Sequence, residues 1–201
     1  MLKYPRNPVS NIYKQNVYVT EVNDETVADK PETEYDFMLE ILSVSSKEIV
    51  VSPITYLQYL KRKPRVLAVS GMLKYRDELL IGKRSSNVPG SGKWDLIPSG
   101  AVSLEDTLSS HGINEIAIRA FEREFKEELP GAKPAAYPQL VQILSLSDTV
   151  ELIVSSSLSE MPLLFNSEYN ELKTLNLSRS DGMIERCTTE ALKQLTLIGG
   201  H

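Results

Sequence analysis

Residues 119–130, RAFEREFKEELP, set the carboxylates of Glu122, Glu124, Glu127 and Glu128 among the cations Arg119, Arg123 and Lys126. At about 100° per residue on an ideal helix, Glu124, Glu127 and Glu128 fall within an arc of roughly 100°. On a solvated helix face such a run would do little, each Glu and Lys or Arg pair three or four residues apart adding a few tenths of a kcal/mol. Three carboxylates on adjacent turns of one face instead repel, and if ionised together they need a compensating cation. Ligation by carboxylate oxygens alone suits a hard divalent ion such as magnesium or manganese.

Other residue types with chemical potential are sparse. Cys187 is the single cysteine, which excludes an internal disulfide and a cysteine-based zinc cluster and fits a reducing compartment. With His111 and His201 as the two histidines, a nucleophilic thiol is not expected. Lys83 and Arg84 in GKRSS end an expected strand and are candidates for a substrate phosphate. The basic run Lys61–Arg65 is already favoured by a helix C-terminus.

The elements that must position these groups come from 201 residues, 41% hydrophobic and 24% charged, as in one globular domain enlarged by an extension. A net charge of −5 opposes nucleic acid and anionic membrane as partners. MLKYPRNPVSN lacks the apolar run of a signal peptide and no stretch is long enough to span a bilayer, so a cytoplasmic protein is expected.

QNVYVTEV (15–22) alternates as a strand and 23–34 reads as a loop. The placing of Phe37, Leu39, Ile41 and Leu42 predicts a helix over 35–44, KEIVVS a strand, and Ser52 a cap for a helix over 53–62. These form an N-terminal accessory extension, 1–63, ahead of a catalytic domain, 64–201. Residues 65–86 hold two apolar runs about YRDE and predict a β-hairpin. A Gly- and Pro-rich loop and a short strand lead to the strongest helix, INEIAIRAFEREFKEEL, with Asn114 as N-cap, Ile118, Phe121 and Phe125 on its apolar side, and Pro130-Gly131 as its stop. Strands are predicted in 138–148 and 149–158, and helices over 167–175 and 182–197. Strands and helices intermingle, as in a mixed sheet with helices on its faces.

At the carboxylate run the residues resemble the signature of the Nudix hydrolases, G-x5-E-x7-R-E-U-x-E-E-x-G-U, with U a bulky apolar residue. Glu115, seven intervening residues and then Arg123-Glu124-Phe125-Lys126-Glu127-Glu128 match its helical half. KWDLIPSGAV, residues 93–102, resembles its strand and turn, with Gly100 as the signature glycine and Ser99 in place of the residue before it. Two departures stand out. Glu115 lies fifteen positions after Gly100 rather than six, which places nine extra residues in SLEDTLSSHGIN. Pro130 stands where the signature has glycine, and Gly131 is expected to make the chain reversal one residue later. The resemblance covers residues 66 to about 175.

The resemblance implies an α/β/α sandwich and a magnesium- or manganese-dependent attack of water on a nucleoside diphosphate derivative. It implies Glu124, Glu127 and Glu128 as metal ligands, with the Ser99 carbonyl as a further one. Glu124, and a later acid for which Glu168 has the nearest spacing and Glu171 and Glu151 remain open, are candidates for orienting water. On the helical wheel Arg123 lies about 80° from Glu115 and about 40° from Glu127 and is expected to bridge them. Leu104 to Ile113 is expected to form a lid or wall beside the site. An extension of strands and helices is similar to that of nucleotide-sugar-type members, many of which use it to dimerise. Two alternatives are a non-catalytic nucleotide sensor on the same fold and a prenyl-diphosphate isomerase, which would demand a cysteine near the site.

Overall fold

Turn chemistry sets the frame of the first sheet elements. In the computed structural model, which describes residues 18–21, 37–88, 90–108, 112–163, 167–176 and 189–193, β2 (Phe37–Val44) and β3 (Glu48–Thr55) form an antiparallel hairpin. The Ser45 hydroxyl closes it by accepting from the backbone N–H groups of Lys47 and Glu48. The helix expected over 35–44 is therefore a strand. Phe37, Leu39 and Ile41 recur every second residue, a strand period, and pairing with β3 decides the matter. Ser52 does not cap a helix either, because β3 runs on through Pro53. The cap falls to Thr55, whose hydroxyl accepts from Gln58 N while Gln58 Oε1 accepts from Thr55 N, opening α1 (Tyr56–Arg62).

β1 (Tyr18–Glu21) lies parallel to β3, and β2 meets β4 (Val66–Tyr75) at Glu40↔Val66. β4 is the hub of the sheet. It forms the expected hairpin with β5 (Glu78–Arg84) across Arg76 and Asp77, both at positive φ. It also pairs antiparallel with β7 (Ser99–Ala101) and, over nine positions, parallel with β9 (Thr149–Ser157). β6 (Trp94–Leu96) and β10 (Tyr169–Leu175) flank β5, and β8 (Gln139–Ser145) pairs with β9. The segment predicted as a helix over 167–175 is thus β10, a strand recruited by the open edge of β5.

Two short helical stretches and one long helix cover this sheet. α2 (Leu104–Thr107) is a single turn with a capping box between Ser103 and Asp106. α3 (Ile113–Glu128) begins after Gly112, so Asn114 lies inside the helix rather than at its cap. It ends at Leu129, and Gly131 at φ 84° turns the chain back. Ile116, Ala117, Ala120, Phe121 and Phe125 of α3 pack on Leu67 and Val69 of β4 and Leu152 and Val154 of β9. Burial of large apolar side chains such as the two phenylalanines stabilises the fold by about 1.5–3 kcal/mol each. The same core takes in Val19, Leu39, Ile49 and Val51 from the first three strands. On the other face Ile153 and Leu144 meet Ala191 and Leu192 of a helical stretch at 190–193. The layers are helix, mixed sheet and helix. The rest of the helix predicted over 182–197, with Cys187, lies outside the described residues, as do His111 and His201. Among the described residues no helix is long and apolar enough to cross a membrane.

Candidate active site

α3 buries its apolar stripe on the sheet, and this rotation carries Glu124 and Glu128 inward at the helix's C-terminal end while Glu127 stays exposed. Glu124 rests against the backbone of Gly100 in β7. A Cβ at Gly100 would overlap the Glu124 carboxylate, which is the physical reason for glycine there. Glu128 is 3% exposed, and its Oε2 accepts from Ser99 N at 3.0 Å. Its Oε1 is buried without a hydrogen-bond partner among the described residues. Burial raises the pKa of Glu124, and the fields of Glu127 and Glu168 add to it against the opposing Arg123. Burial likewise pushes Glu128 well above the usual carboxylate range, reinforced by Glu124 and Glu168. Glu124, Glu127, Glu128 and Glu168 therefore share one electrostatic neighbourhood.

Of the two expected partners of Arg123, Glu127 stands at the edge of ion-pair reach and Glu115 does not pair with it, and the guanidinium is held chiefly by other groups. Its Nη2 donates to Asp106 Oδ2 at 2.9 Å and to the Ala101 carbonyl at 2.8 Å, and Nη1 donates to Glu124 Oε1 at 2.7 Å. Burial works against the guanidinium charge, but the bonds to Asp106 and the field of Glu124 outweigh it and raise its pKa. Glu127 Oε2 stands at 4.0 Å, the outer limit of an ion pair. Glu115 is exposed and is not among the ion-pair partners of Arg123. The correction has a sequence explanation: Asp106 lies six positions after Gly100, the spacing the signature gives its first acid. The extra residues follow that acid instead of preceding it. α2 thus belongs to the site's framework, and what remains of the expected lid, residues 109–111, lies outside the described residues.

The remaining candidates divide. Arg84 is anchored by Asp95, Nη1 to Oδ2 at 2.9 Å, and its guanidinium lies 5.7 Å from the centre of the Tyr169 ring. Lys83 turns the other way, toward the Trp94 ring and Glu171, 3.7 Å from the carboxylate. Glu171 is exposed in that pair. Ser99 is buried, with its hydroxyl 2.9 Å from Tyr169 OH. In the basic run, Arg62 pairs with Glu40 and Arg65 bonds the Thr149 carbonyl and Ser145, so both serve the sheet. Asp95 and Tyr169 escaped the sequence reading because no motif spacing marks them; their roles arise where β5, β6 and β10 meet. Asp95 is buried, which raises its pKa, although Thr189, Arg84 and Leu96 N all donate to it.

A cavity of about 950 Å³ opens beside these groups, lined by Ser99, Gly100, Arg84 and Asp95 and, farther along β4 and β9, by Ser70 and Glu151. Leu152 and Val154 face α3, so Glu151 points to the opposite side of the sheet. This separates Glu151 from the α3 carboxylates as a candidate for the same role.

The same architecture occurs in solved structures. No family model and no curated protein matches the chain in sequence. The Deinococcus radiodurans protein DR0079 superposes with a TM-score of 0.54 at 18% identity, over 80% of this chain and 97% of that one. Tm1382, described provisionally as a Nudix hydrolase, gives 0.55 at 12% identity over 74% and 78%. A bifunctional NMN adenylyltransferase/ADP ribose pyrophosphatase from Francisella tularensis, complexed with AMP and a manganese ion, gives 0.50 at 18% identity over 71% of this chain and 43% of its own. The chain therefore spans less than half the length of that bifunctional protein. At these identities the likeness concerns architecture, and it agrees with the layers and the strand–turn–helix around Gly100: the chain has the fold of the Nudix hydrolases.

Proposed function

We propose that the protein is a magnesium- or manganese-dependent hydrolase that cleaves the diphosphate linkage of a nucleoside diphosphate derivative, with nucleotide sugars the favoured class. The observation that carries this reading is the pair of buried carboxylates, Glu124 against Gly100 and Glu128 on Ser99 N, packed behind the Ser99–Gly100 backbone that lines a nucleotide-sized cavity.

The residues fit a divalent cation by charge and donor type, although no three acidic, histidine or cysteine side chains among the described residues already stand as a formed cage. Glu128 Oε1 is a buried acceptor without a donor among the described residues, and burial first, with neighbouring carboxylates adding to it, raises the pKa of both Glu124 and Glu128. Glu124, Glu127 and Glu128 would hold the ion, with the Ser99 carbonyl as a further oxygen donor. A bound divalent ion supplies positive charge to the diphosphate oxygens and acidifies water.

The chain's own residues provide the rest. Arg123, clamped between Asp106 and the Ala101 carbonyl, fixes the Glu124 carboxylate and so acts by positioning. Ser99 N does the same for Glu128. Arg84, oriented by Asp95, lines the cavity where a diphosphate would lie and can neutralise its non-bridging oxygens. Glu168, next in chain to Tyr169 and within the field of Glu124 and Glu128, would accept a proton from attacking water in this reading.

The test is incubation with a panel of nucleoside diphosphate derivatives, sugar nucleotides included, with magnesium or manganese, scoring release of a nucleoside monophosphate. Folded protein that binds these nucleotides yet releases nothing with either metal would overturn the reading in favour of a non-catalytic sensor.

A further inference from the structure

The cavity has an acidic end that the hydrolysis leaves unused. Glu151 lines it from β9, and Ser70 of β4 donates its hydroxyl to Glu151 Oε2 at 2.8 Å, which fixes the carboxylate plane. Thr149 lines the same stretch. Its hydroxyl lies beside the carboxylate and eases its ionisation. A carboxylate offers about four lone-pair sites, so the Ser70 and Thr149 hydroxyls leave about two of them to whatever enters the cavity. Asp95 and Asp148 add negative potential around Glu151. Although Asp95 pairs with Arg84, both cations that line the cavity among the described residues, Arg84 and Lys93, stand at its other end and draw an anionic diphosphate there, which orients a nucleotide with its base toward Glu151.

The bases differ in what they can give a fixed carboxylate. Guanine presents two adjacent donors, the ring N1–H and the 2-amino group, which match two carboxylate oxygens side by side. Adenine and cytosine each pair one amino donor with a ring nitrogen acceptor, and the uracil N–H lies between two carbonyls, so each brings an acceptor against the carboxylate. We propose that Glu151, held by Ser70, is the specificity-determining residue of the cavity and selects a guanosine diphosphate derivative through the N1–H and 2-amino edge of its base. This rests on the cavity being the nucleotide site of the proposed hydrolase.

The experiment measures equilibrium binding of GDP, IDP, ADP and UDP to the full chain by calorimetry, with and without magnesium, beside hydrolysis of the matching diphosphate derivatives. IDP differs from GDP by the 2-amino group alone. The wild type is expected to bind GDP at least about tenfold more tightly than the other three, the effect of losing one well-placed hydrogen bond to a charged group. Glu151→Gln replaces one acceptor by a donor and should erase the preference for GDP over IDP. Ser70→Ala keeps the charge but frees its orientation and should shrink the preference, a readout that survives if Glu151→Gln fails to fold. Equal affinity of the wild type for GDP and IDP, an undiminished preference in both variants, or failure to bind any of the four overturns the assignment. Hydrolysis without base preference sinks this inference and leaves the proposed function standing. Selective GDP binding without hydrolysis does the reverse.

Discussion

Asp106 and Glu151 are the residues whose substitution separates this site from one inferred by spacing alone. Asp106 is 5% exposed and receives two Arg123 donors. Asp106→Asn removes one of the counter-charges of the half-buried Arg123 guanidinium, leaving Glu124, and should cost about 2 kcal/mol in urea denaturation, whereas Glu115→Gln, exposed and unpaired with Arg123, should stay within about 0.5 kcal/mol. Equal effects of the two would return Glu115 to the network. Glu151 makes a prediction about pH. Its pKa rises from 4.5 to about 7 in the folded chain, through burial first and the Asp95 field second, against the Ser70 hydrogen bond. Between those values the folded state holds a proton that the unfolded state has released. The group's contribution to stability is therefore fully present below pH 4.5 and is lost as pH rises through 7, on the order of 3 kcal/mol in all. Thermal melts of Glu151→Gln should accordingly exceed the wild type at pH 8 and converge with it toward pH 5. A wild-type advantage at pH 8 would contradict the assignment.

At the scale of elements, the decisive contact is α3 against β7. The helix carboxylate and the strand backbone approach so closely that any side chain at 100 must displace one of them. Gly100→Ala should lower turnover by more than about tenfold, by moving Glu124, and destabilise the fold by about 1–3 kcal/mol through overpacking. Retained turnover in the alanine variant would mean that Glu124 can leave Gly100 without loss, and that its seat there is structural. α2 works on the same contact from the other side, because its capping box holds Asp106 under Arg123. The residues following Thr107 can vary in length because loop closure costs little per added residue once both ends are fixed.

For the molecule as a whole, the cluster of α3 carboxylates stores repulsion that a cation would relieve. Glu128 has a folded pKa well above its ordinary value, so its contribution to stability is present below that ordinary value and is lost as pH rises toward the folded one. Glu128→Gln should raise the Tm of the metal-free protein at neutral pH and abolish most turnover. Magnesium should raise the wild-type Tm in a concentration-dependent way, since a ligand that binds the folded state stabilises it by mass action, and raise the Glu128→Gln Tm less. A metal-insensitive wild-type Tm at millimolar magnesium, with turnover intact, would place the ion elsewhere.

The sequence by itself determined what is local. The apolar spacing and carboxylate face of α3, the β4–β5 hairpin about Arg76 and Asp77, the β8 and β9 strands, and the Gly100 turn were legible because each is written within a few residues by period or turn chemistry. Tertiary structure decided what depends on partners distant in the chain. β2 and β10 are strands because β3 and β5 offer them edges, and Asp106 rather than Glu115 meets Arg123 because α2 folds back over α3. Arg84 and Asp95 come together where β5 pairs with β6. Glu151 reaches the cavity because β9 lies beside β4 in a register that sets Leu152 toward α3 and its neighbour away. Register is a property of two strands at once, and neither strand's residues encode it alone.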